Sequence, residues 1–245
     1  MDPTGPVTAD AVAANLAVVG ERMAAACAAA GRPAGAVRLV AVSKRIGLDL
    51  VAAACAAGQW ELGENRIQDA LPRQQELEAA LRGRGLDPAP VRWHFIGHLQ
   101  SNKAARAVGR FALLHGVDSL KLAVRLSELA VQAGLRQSIL LEVNISGEVQ
   151  KEGLAAAELP AVLAAAAVLP GLELQGLMGM ARREAPEAEL RASFARLRTL
   201  AERGRAATGL PLPELSMGMS DDYEAAIAEG ATLVRLGGAV FGPRT

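Results

Sequence analysis

The chain has 245 residues, of which 51% are hydrophobic and 21% are charged, so it is long and apolar enough to bury one large core. Its formal net charge is zero at pH 7 and it has no dense basic tract, which argues against nucleic acid or an anionic membrane as a partner. The first ten residues lack the pattern of a signal peptide, in which an apolar stretch follows a basic one. We therefore expect a single-domain cytoplasmic protein, and we expect it to be a monomer.

The two cysteines, Cys27 and Cys55, lie in the Ala-rich segments MAAACAAAG and VAAACAAG and follow no redox or metal-binding spacing. Segments of this composition are typical of buried helix faces. We therefore predict that both cysteines are unreactive core thiols in a reducing compartment.

Short apolar runs alternate with longer helical segments along most of the chain. Residues 1–9 are polar and rich in turn formers, which predicts a flexible N-terminus. A helix is predicted from about Thr8 to Ala30. The apolar runs that predict strands are residues 37–43, 59–63, 91–97, 111–117, 138–146, 172–178, 213–217 and 232–237. Between them, segments such as 120–134 and 185–208 repeat apolar residues every three or four positions, as amphipathic helices do.

This alternation decides the expected fold class. A helix between two strands returns the chain to the same edge of the sheet, so the strands should be parallel. Eight such repeats in about 250 residues fit a closed α/β barrel, the (β/α)8 or TIM barrel, better than an open doubly wound sheet. Residues 10–245 are therefore predicted to form one barrel with an extra N-terminal helix and no second domain.

Lys44 ends the first predicted strand, in the run RLVAVSK. Active sites of these barrels lie at the carboxyl ends of the strands, so Lys44 should point into the mouth of the barrel. One interpretation is a lysine that extends from the strand end to solvent. The other is a partly desolvated amine that attacks a carbonyl group and forms a Schiff base. Spacing alone leaves both open.

Small residues follow the seventh and eighth predicted strands, namely Ser216, Gly218, Ser220, Gly237 and Gly238. At this edge of a barrel, small residues let backbone N–H groups converge on a phosphate. Ser216 would add a hydroxyl, whereas Ser220 is expected to cap the next helix. The glycine pairs could also be turn residues only. A phosphate there, beside an amine on the adjacent first strand, fits pyridoxal 5'-phosphate.

Longer motifs carry a resemblance to a known family. They are AVSK (41–44), GENRIQDA (63–70), WHFIGHLQSNKA (93–104), LLEVNISGEVQKEG (140–153), LQGLMGMA (174–181) and LSMGMSDDYEAAIAEGATLVRLGGAVFG (215–242). With these motifs the chain resembles the YggS/PROSC family of pyridoxal phosphate homeostasis proteins, in register from about residue 10 to the end. The strings WHFIGHLQSNK and LSMGMSDD are long and unusual, which makes the resemblance specific.

The resemblance implies a role for six residues. Lys44 would hold pyridoxal phosphate as a Schiff base, Asn65 would lie near the edge of its ring, and Ser216, Gly237 and Gly238 would hold its phosphate. Arg235 would face the pyridine nitrogen, although a surface ion pair is its alternative interpretation. A guanidinium cannot accept a proton, so the ring would be a weak electron sink. The resemblance therefore implies a carrier of pyridoxal phosphate in its homeostasis, with pyridoxal phosphate-dependent apoenzymes as expected recipients.

The chain departs from the family pattern at two places. Many members have a second lysine and a proline where this chain has Ile46 and Gly47, and many have Thr where it has Gly238. These changes remove an accessory amine and one hydroxyl from the expected site. Lys151 matches a lysine of the family and is interpreted as a possible secondary binding residue.

The competing function is a pyridoxal phosphate-dependent amino-acid racemase or a related enzyme, because the barrel also resembles the barrel domain of alanine racemases. Those enzymes have a second, β-rich domain that supplies a tyrosine acid/base. The sole tyrosine here, Tyr223, falls in the helix predicted after the seventh strand. Racemisation needs an acid/base on each face of the substrate carbon, and Lys44 alone is visible in the sequence.

Other residues have mainly structural interpretations. His94 and His98 have the spacing of a metal pair, but hydrogen bonding is favoured because no HExxH glutamate accompanies them. Asp118 and Ser119 indicate a helix start. Four methionines could line the barrel mouth or fill the core, namely Met178, Met180, Met217 and Met219.

Overall fold

The computed structural model describes residues 7–148 and 152–243. Its strands are Arg38–Val42 (β1), Glu61–Glu64 (β2), Arg92–Phe95 (β3), Leu113–Val117 (β4), Gln137–Val143 (β5), Leu172–Gly179 (β6), Glu214–Ser216 (β7) and Leu233–Leu236 (β8). Its α-helices are Ala9–Ala29 (α1), Leu48–Ala56 (α2), Ile67–Gly83 (α3), Leu120–Gln132 (α4), Leu159–Ala167 (α5), Glu187–Thr208 (α6), Tyr223–Ala228 (α7) and Gly238–Phe241 (α8), and a 3-10 helix covers Ser101–Arg106.

The strands form one closed, parallel barrel in the order β1 to β8. The last strand pairs with the first, and Val40 lies opposite Arg235 in that pairing. Each predicted strand is confirmed to within a few residues, and so is the barrel. The strand signal was strong because parallel strands covered by helices are buried on both faces, as the fully buried β4 illustrates.

The predicted leading helix is also confirmed. Thr8 caps α1 by accepting a hydrogen bond from the Ala11 N–H at 3.2 Å. The helix buries Val12, Val19, Met23 and Cys27 and packs against α2, α7 and α8. In the described part of the chain, α1 alone has the length and apolar composition of a membrane span, a test that the core helix of a soluble protein also passes.

Both cysteines are buried, as predicted: Cys27 lies on α1 and Cys55 on α2. Burial raises the pKa of the Cys55 thiol to about 11, so it stays protonated and unreactive at neutral pH.

The core has two parts. The larger part lies between the barrel and its helices, and the smaller one fills the barrel with Val40, Leu113, Leu140, Met178 and Leu233. Polar side chains accompany the smaller part. His115 on β4 and Ser216 on β7 are fully buried, and their side chains contact each other at 2.8 Å. Because β4 and β7 are not neighbours in the barrel, this contact crosses its interior.

Candidate functional site

A cavity of about 830 Å³ opens at the carboxyl ends of the strands. Five of the six residues predicted for the site lie on its wall, namely Lys44, Asn65, Arg235, Gly237 and Gly238. They come from segments that are up to 194 positions apart in the sequence, from Lys44 to Gly238. The closed barrel brings them together because β1 and β8 pair directly.

The turn that presents Lys44 is fixed by a largely buried ion pair between Glu64 and Arg73. Ser43 donates a hydrogen bond to Glu64 at 2.7 Å, and Arg73 on α3 contacts the same carboxylate at 3.2 Å. Arg73 also donates to the carbonyls of Ser43 and Ile46, at 3.0 and 2.8 Å. Burial raises the pKa of Glu64, while Ser43 and Arg73 oppose that shift. The position of Lys44 is therefore fixed by contacts on both sides of it.

Asn65 directly follows β2 on the wall of the cavity, and the next loop packs tightly against it. A Cβ at Gly97 would lie 2.3 Å from the Asn65 carbonyl oxygen, well inside van der Waals contact. Glycine at position 97 thus permits the loops after β2 and β3 to approach each other beside the cavity.

Arg235 points into the barrel beneath the cavity. It is 4% exposed, and it donates to the Ser216 hydroxyl at 2.6 Å and to the Gly179 carbonyl at 3.3 Å. Burial lowers the pKa of the guanidinium to about 10, although the charges of Glu142 and Asp222 oppose that shift. The interpretation of Arg235 as a surface ion pair is wrong.

Ser216 is the sixth predicted residue, and the structure places it below the wall of the cavity. Its side chain is fully buried, and its hydroxyl contacts Arg235 and His115 instead of facing the cavity. The reason is the strand period: Ser216 is the last residue of β7 and points into the barrel.

Ser220 lies where Ser216 was expected. It lines the cavity, and its hydroxyl accepts a hydrogen bond from the Ala239 N–H at 3.3 Å. The N-cap of α7 is Asp222, which accepts from the Met219 N–H at 2.5 Å, so the prediction that Ser220 caps this helix is wrong. Sequence reasoning missed Ser220 because a serine before two aspartates has the pattern of a helix cap.

Gly238 lies next to Ser220 on the wall of the cavity. A Cβ at Gly238 would lie 4.0 Å from the Ser220 hydroxyl oxygen, which is an ordinary van der Waals contact, so the two positions are neighbours in this corner of the cavity. The corner combines a hydroxyl with the backbone of the β8–α8 turn, which suits a phosphate group.

Glu142 is a titratable group of the cavity that sequence reasoning also missed. It is 2% exposed, and burial raises the pKa of its carboxyl to about 7, with the charges of Glu152 and Asp118 adding to the shift. The signal was present, since Glu142 follows Leu140 at strand period inside the apolar run LLEV. Lys44 is therefore not the sole acid/base group on the wall.

The two histidines that could have formed a metal pair lie in different environments. His94 is buried in the barrel and contacts His115 at 2.9 Å, whereas His98 is 40% exposed and contacts Asp118 at 2.9 Å. The favoured interpretation, hydrogen bonding, is confirmed for His94, whereas His98 lies within ion-pair distance of Asp118. Ser119 accepts from the Leu122 N–H at 3.3 Å as the N-cap of α4, as predicted.

The methionines divide between the two expected roles. Met180 and Met219 line the cavity, and Met178 and Met217 are buried beneath it. Tyr223 begins α7, as predicted, and is buried outside the cavity wall. Lys151 lies outside the described residues.

A family profile and similar curated proteins place the chain in the same family. The sequence profile of the family described as alanine racemase, N-terminal domain, matches residues 7–245. The pyridoxal phosphate homeostasis protein of Pseudomonas aeruginosa is 46% identical over 234 residues, which cover 95% of this chain and 96% of that protein. The protein of the same name from Escherichia coli is 39% identical over 235 residues, covering 95% and 97%.

Solved structures agree with these relatives. PipY of Synechococcus elongatus, whose crystal structure has pyridoxal phosphate bound, superposes with a TM-score of 0.78 at 37% identity and covers 91% of this chain and 100% of that one. Alanine racemase from Corynebacterium glutamicum superposes at 0.71 and 18% identity over 98% of this chain and 62% of that enzyme, which shows a common fold. The chain belongs to the pyridoxal phosphate homeostasis proteins, within the alanine racemase N-terminal domain family.

Proposed function

We propose that this protein binds pyridoxal 5'-phosphate in the cavity at the carboxyl ends of its strands and acts in the homeostasis of that cofactor. The single observation that carries the proposal is the convergence of an amine, a buried guanidinium and a small-residue corner on one wall, contributed by Lys44, Arg235 and the turn at Gly237–Gly238. The cofactor has a matching aldehyde, ring nitrogen and phosphate.

Each part of the wall has a proposed role. Lys44 would hold the cofactor through its amine, as a Schiff base with the aldehyde that the cofactor would supply, and the aldehyde oxygen would leave as water. Ser220 and the backbone of Gly237 and Gly238 hold the phosphate, with Ser220 taking the hydroxyl role first expected of Ser216. Asn65 lies beside the ring, and Arg235 faces its nitrogen. Because Arg235 can only donate hydrogen bonds, it would keep that nitrogen unprotonated and would limit carbanion chemistry.

We further propose that the protein buffers the reactive aldehyde in the cytoplasm as a monomer and releases it to pyridoxal phosphate-dependent apoenzymes. The support is the name of its relatives and the weak electron sink that Arg235 would create. A test is transfer from the loaded protein to an apo-aminotransferase. Activation faster than the spontaneous release of cofactor would indicate direct delivery, and activation at the release rate would indicate buffering only.

The binding proposal is tested by loading the purified protein with pyridoxal phosphate, reducing it with borohydride and measuring its intact mass. We expect a covalent gain equal to the reduced cofactor, mapped to Lys44, and visible absorbance before reduction. Lys44→Ala should lose both signals. Lys103→Ala is the matched control, since Lys103 lines an adjoining cavity, and it should keep them. A wild-type protein without the mass gain would overturn the proposal.

The racemase alternative has one supporting observation, which is Glu142 as a second proton-transfer group in the cavity. Its test is the exchange of solvent deuterium into the α-carbon of alanine by the loaded protein. Exchange at enzyme-like turnover, lost in Glu142→Gln, would replace the carrier function by catalysis. Exchange no faster than with free pyridoxal phosphate would leave the carrier function in place.

A further inference from the structure

Five polar side chains form a continuous line through the interior of the barrel. In order they are Arg235, Ser216, His115, His94 and Glu61, and we call them the interior chain. Successive contacts are 2.6 Å from Arg235 to Ser216, 2.8 Å from Ser216 to His115 and 2.9 Å between the histidines. His94 Nε2 lies 3.5 Å from Glu61 Oε2, which is longer than a normal hydrogen bond, and neither of these two buried atoms has a hydrogen-bond partner among the described residues. The interior chain leads away from the cavity.

The two ends of the interior chain lie at opposite ends of the barrel. Arg235 lines the cavity at the carboxyl ends of the strands, whereas Glu61 is the first residue of β2. There Glu61 also binds Arg38 at 2.8 Å, and Arg38 binds Glu214 at 2.6 Å. The Glu61 carboxylate is therefore a charged group that lies outside the cavity.

One direction of the interior chain satisfies the contacts at both of its ends. Arg235 can only donate, so the Ser216 oxygen accepts from it. The arrangement in which the Ser216 O–H donates to His115 Nδ1 is the one that leaves a proton, and not a lone pair, facing the Glu61 carboxylate. His115 must then carry its proton on Nε2 and donate to His94 Nδ1, which places the His94 proton on Nε2, facing the Glu61 carboxylate. Both histidines are neutral in this arrangement, and burial lowers the pKa of His94 to about 3.

The charge of Arg235 gives this direction a physical consequence. Among the described residues, no carboxylate lies within ion-pair distance of its buried guanidinium, which is unusual for a buried charge. In the interior chain, every dipole has its negative end towards Arg235, and the Glu61 carboxylate terminates the line. Aligned hydrogen bonds polarise one another, so this arrangement would let the Glu61 carboxylate, across its 3.5 Å contact with His94, favour the cation at the other end.

We propose that the interior chain positions Arg235 and couples the charge of Glu61, at the far end of the barrel, to the cofactor-binding site. His115, His94 and Ser216 act through Arg235 and do not touch the ligand. This inference rests on the proposed binding of pyridoxal phosphate. It adds a group that tunes the site from outside the cavity.

The test compares two isosteric substitutions that change the net charge equally. Glu61→Gln and Glu214→Gln each remove one carboxylate that contacts Arg38, but only Glu61 terminates the interior chain. We expect Glu61→Gln to weaken pyridoxal phosphate binding about tenfold. It should also lower the pKa of the proposed Schiff base on Lys44, measured by absorbance titration, by about 0.5. Glu214→Gln should change binding by less than about twofold.

A double-mutant cycle separates coupling through the chain from a general effect of charge. Adding Glu61→Gln to His94→Phe, which cuts the interior chain, should have no further effect on binding or on the titration. Equal effects of the two glutamine variants, or a full effect of Glu61→Gln in the His94→Phe protein, would overturn the inference. If wild-type protein binds no cofactor, the proposed function fails instead.

A readout that needs no cofactor tests the direction itself. Nitrogen NMR of the ligand-free protein at pH 7 should show His94 and His115 neutral, each with its proton on Nε2. A proton on Nδ1 of either ring, or a charged ring, would overturn the directional chain even if the binding results agreed with it.

Discussion

The two ends of the barrel hold their charges in opposite ways. At the amino-terminal end, Arg38 lies between Glu61 and Glu214, at 2.8 and 2.6 Å, and Thr232 donates to the second oxygen of Glu214. At the carboxyl-terminal end, Arg235 and Glu142 are almost fully buried, and within the described residues no ion pair joins them. A pairing partner offsets part of the cost of burying a charge, whereas a buried charge without one destabilises the fold. The difference indicates that the ion pairs at the amino-terminal end stabilise the fold and that the ligand site lies at the carboxyl-terminal end.

The largest expected effect is at the paired end. Arg38→Met should lower the free energy of unfolding by about 3 kcal/mol, because it leaves Glu61 and Glu214 close together without their cation. Urea denaturation at pH 7 measures the change. Arg92→Met is the matched control, since Arg92 is 58% exposed and lies 3.9 Å from Glu61, and it should cost less than about 0.5 kcal/mol. Equal losses would remove the contrast between a paired and an exposed cation.

At the carboxyl-terminal end of the barrel, removal of a buried charge should raise the free energy of unfolding instead of lowering it. The pKa of Glu142 is about 7 in the folded protein against the usual 4.5, so the folded state keeps the proton in this pH window after the unfolded state has lost it. Stability is therefore lost as pH rises from 4.5 to 7, by up to about 1.4 kcal/mol per pH unit. Glu142→Gln stays neutral.

We expect Glu142→Gln to be more stable than wild type by about 3 kcal/mol at pH 8 and equally stable at pH 4. Denaturation curves across this range check the prediction. Glu128→Gln, a change at an exposed carboxylate of α4, should show no such trend. A Glu142 variant that is less stable at pH 8 would mean that the ionised carboxylate is satisfied in the folded state.

The smallest expected change in stability is that of Arg235→Met, which tests the same contrast between the two ends of the barrel. Arg235→Met removes a buried cation that has no contacting carboxylate among the described residues, so the ligand-free protein should gain about 1 kcal/mol of stability at pH 7. Pyridoxal phosphate affinity should fall at the same time, measured by absorbance titration. A stability loss of more than about 1 kcal/mol would show that Arg235 is already stabilised as strongly as Arg38.

Much of the fold could be predicted because its signals are local. The buried strands, the Thr8 cap and the Ser119 cap each depend on residues a few positions apart, and parallel pairing follows from the alternation of strands with helices. The site was predicted in part. Lys44 was recognised from its strand end, but Ser216 and Ser220 exchanged places, since the choice depends on which side chain faces the interior at the end of a three-residue strand.

The amino-acid sequence is enough to predict the eight-stranded barrel, the strand end that carries Lys44 and the family resemblance. Each of these signals is a periodicity or a motif formed by residues that are close together in the sequence. Tertiary structure alone decided what crosses the barrel. The contacts from Arg235 through Ser216 and His115 to His94, and the raised pKa of the Glu142 carboxyl, arise between strands that are distant in sequence. Burial and the direction of each hydrogen bond depend on neighbours that only the closed barrel supplies.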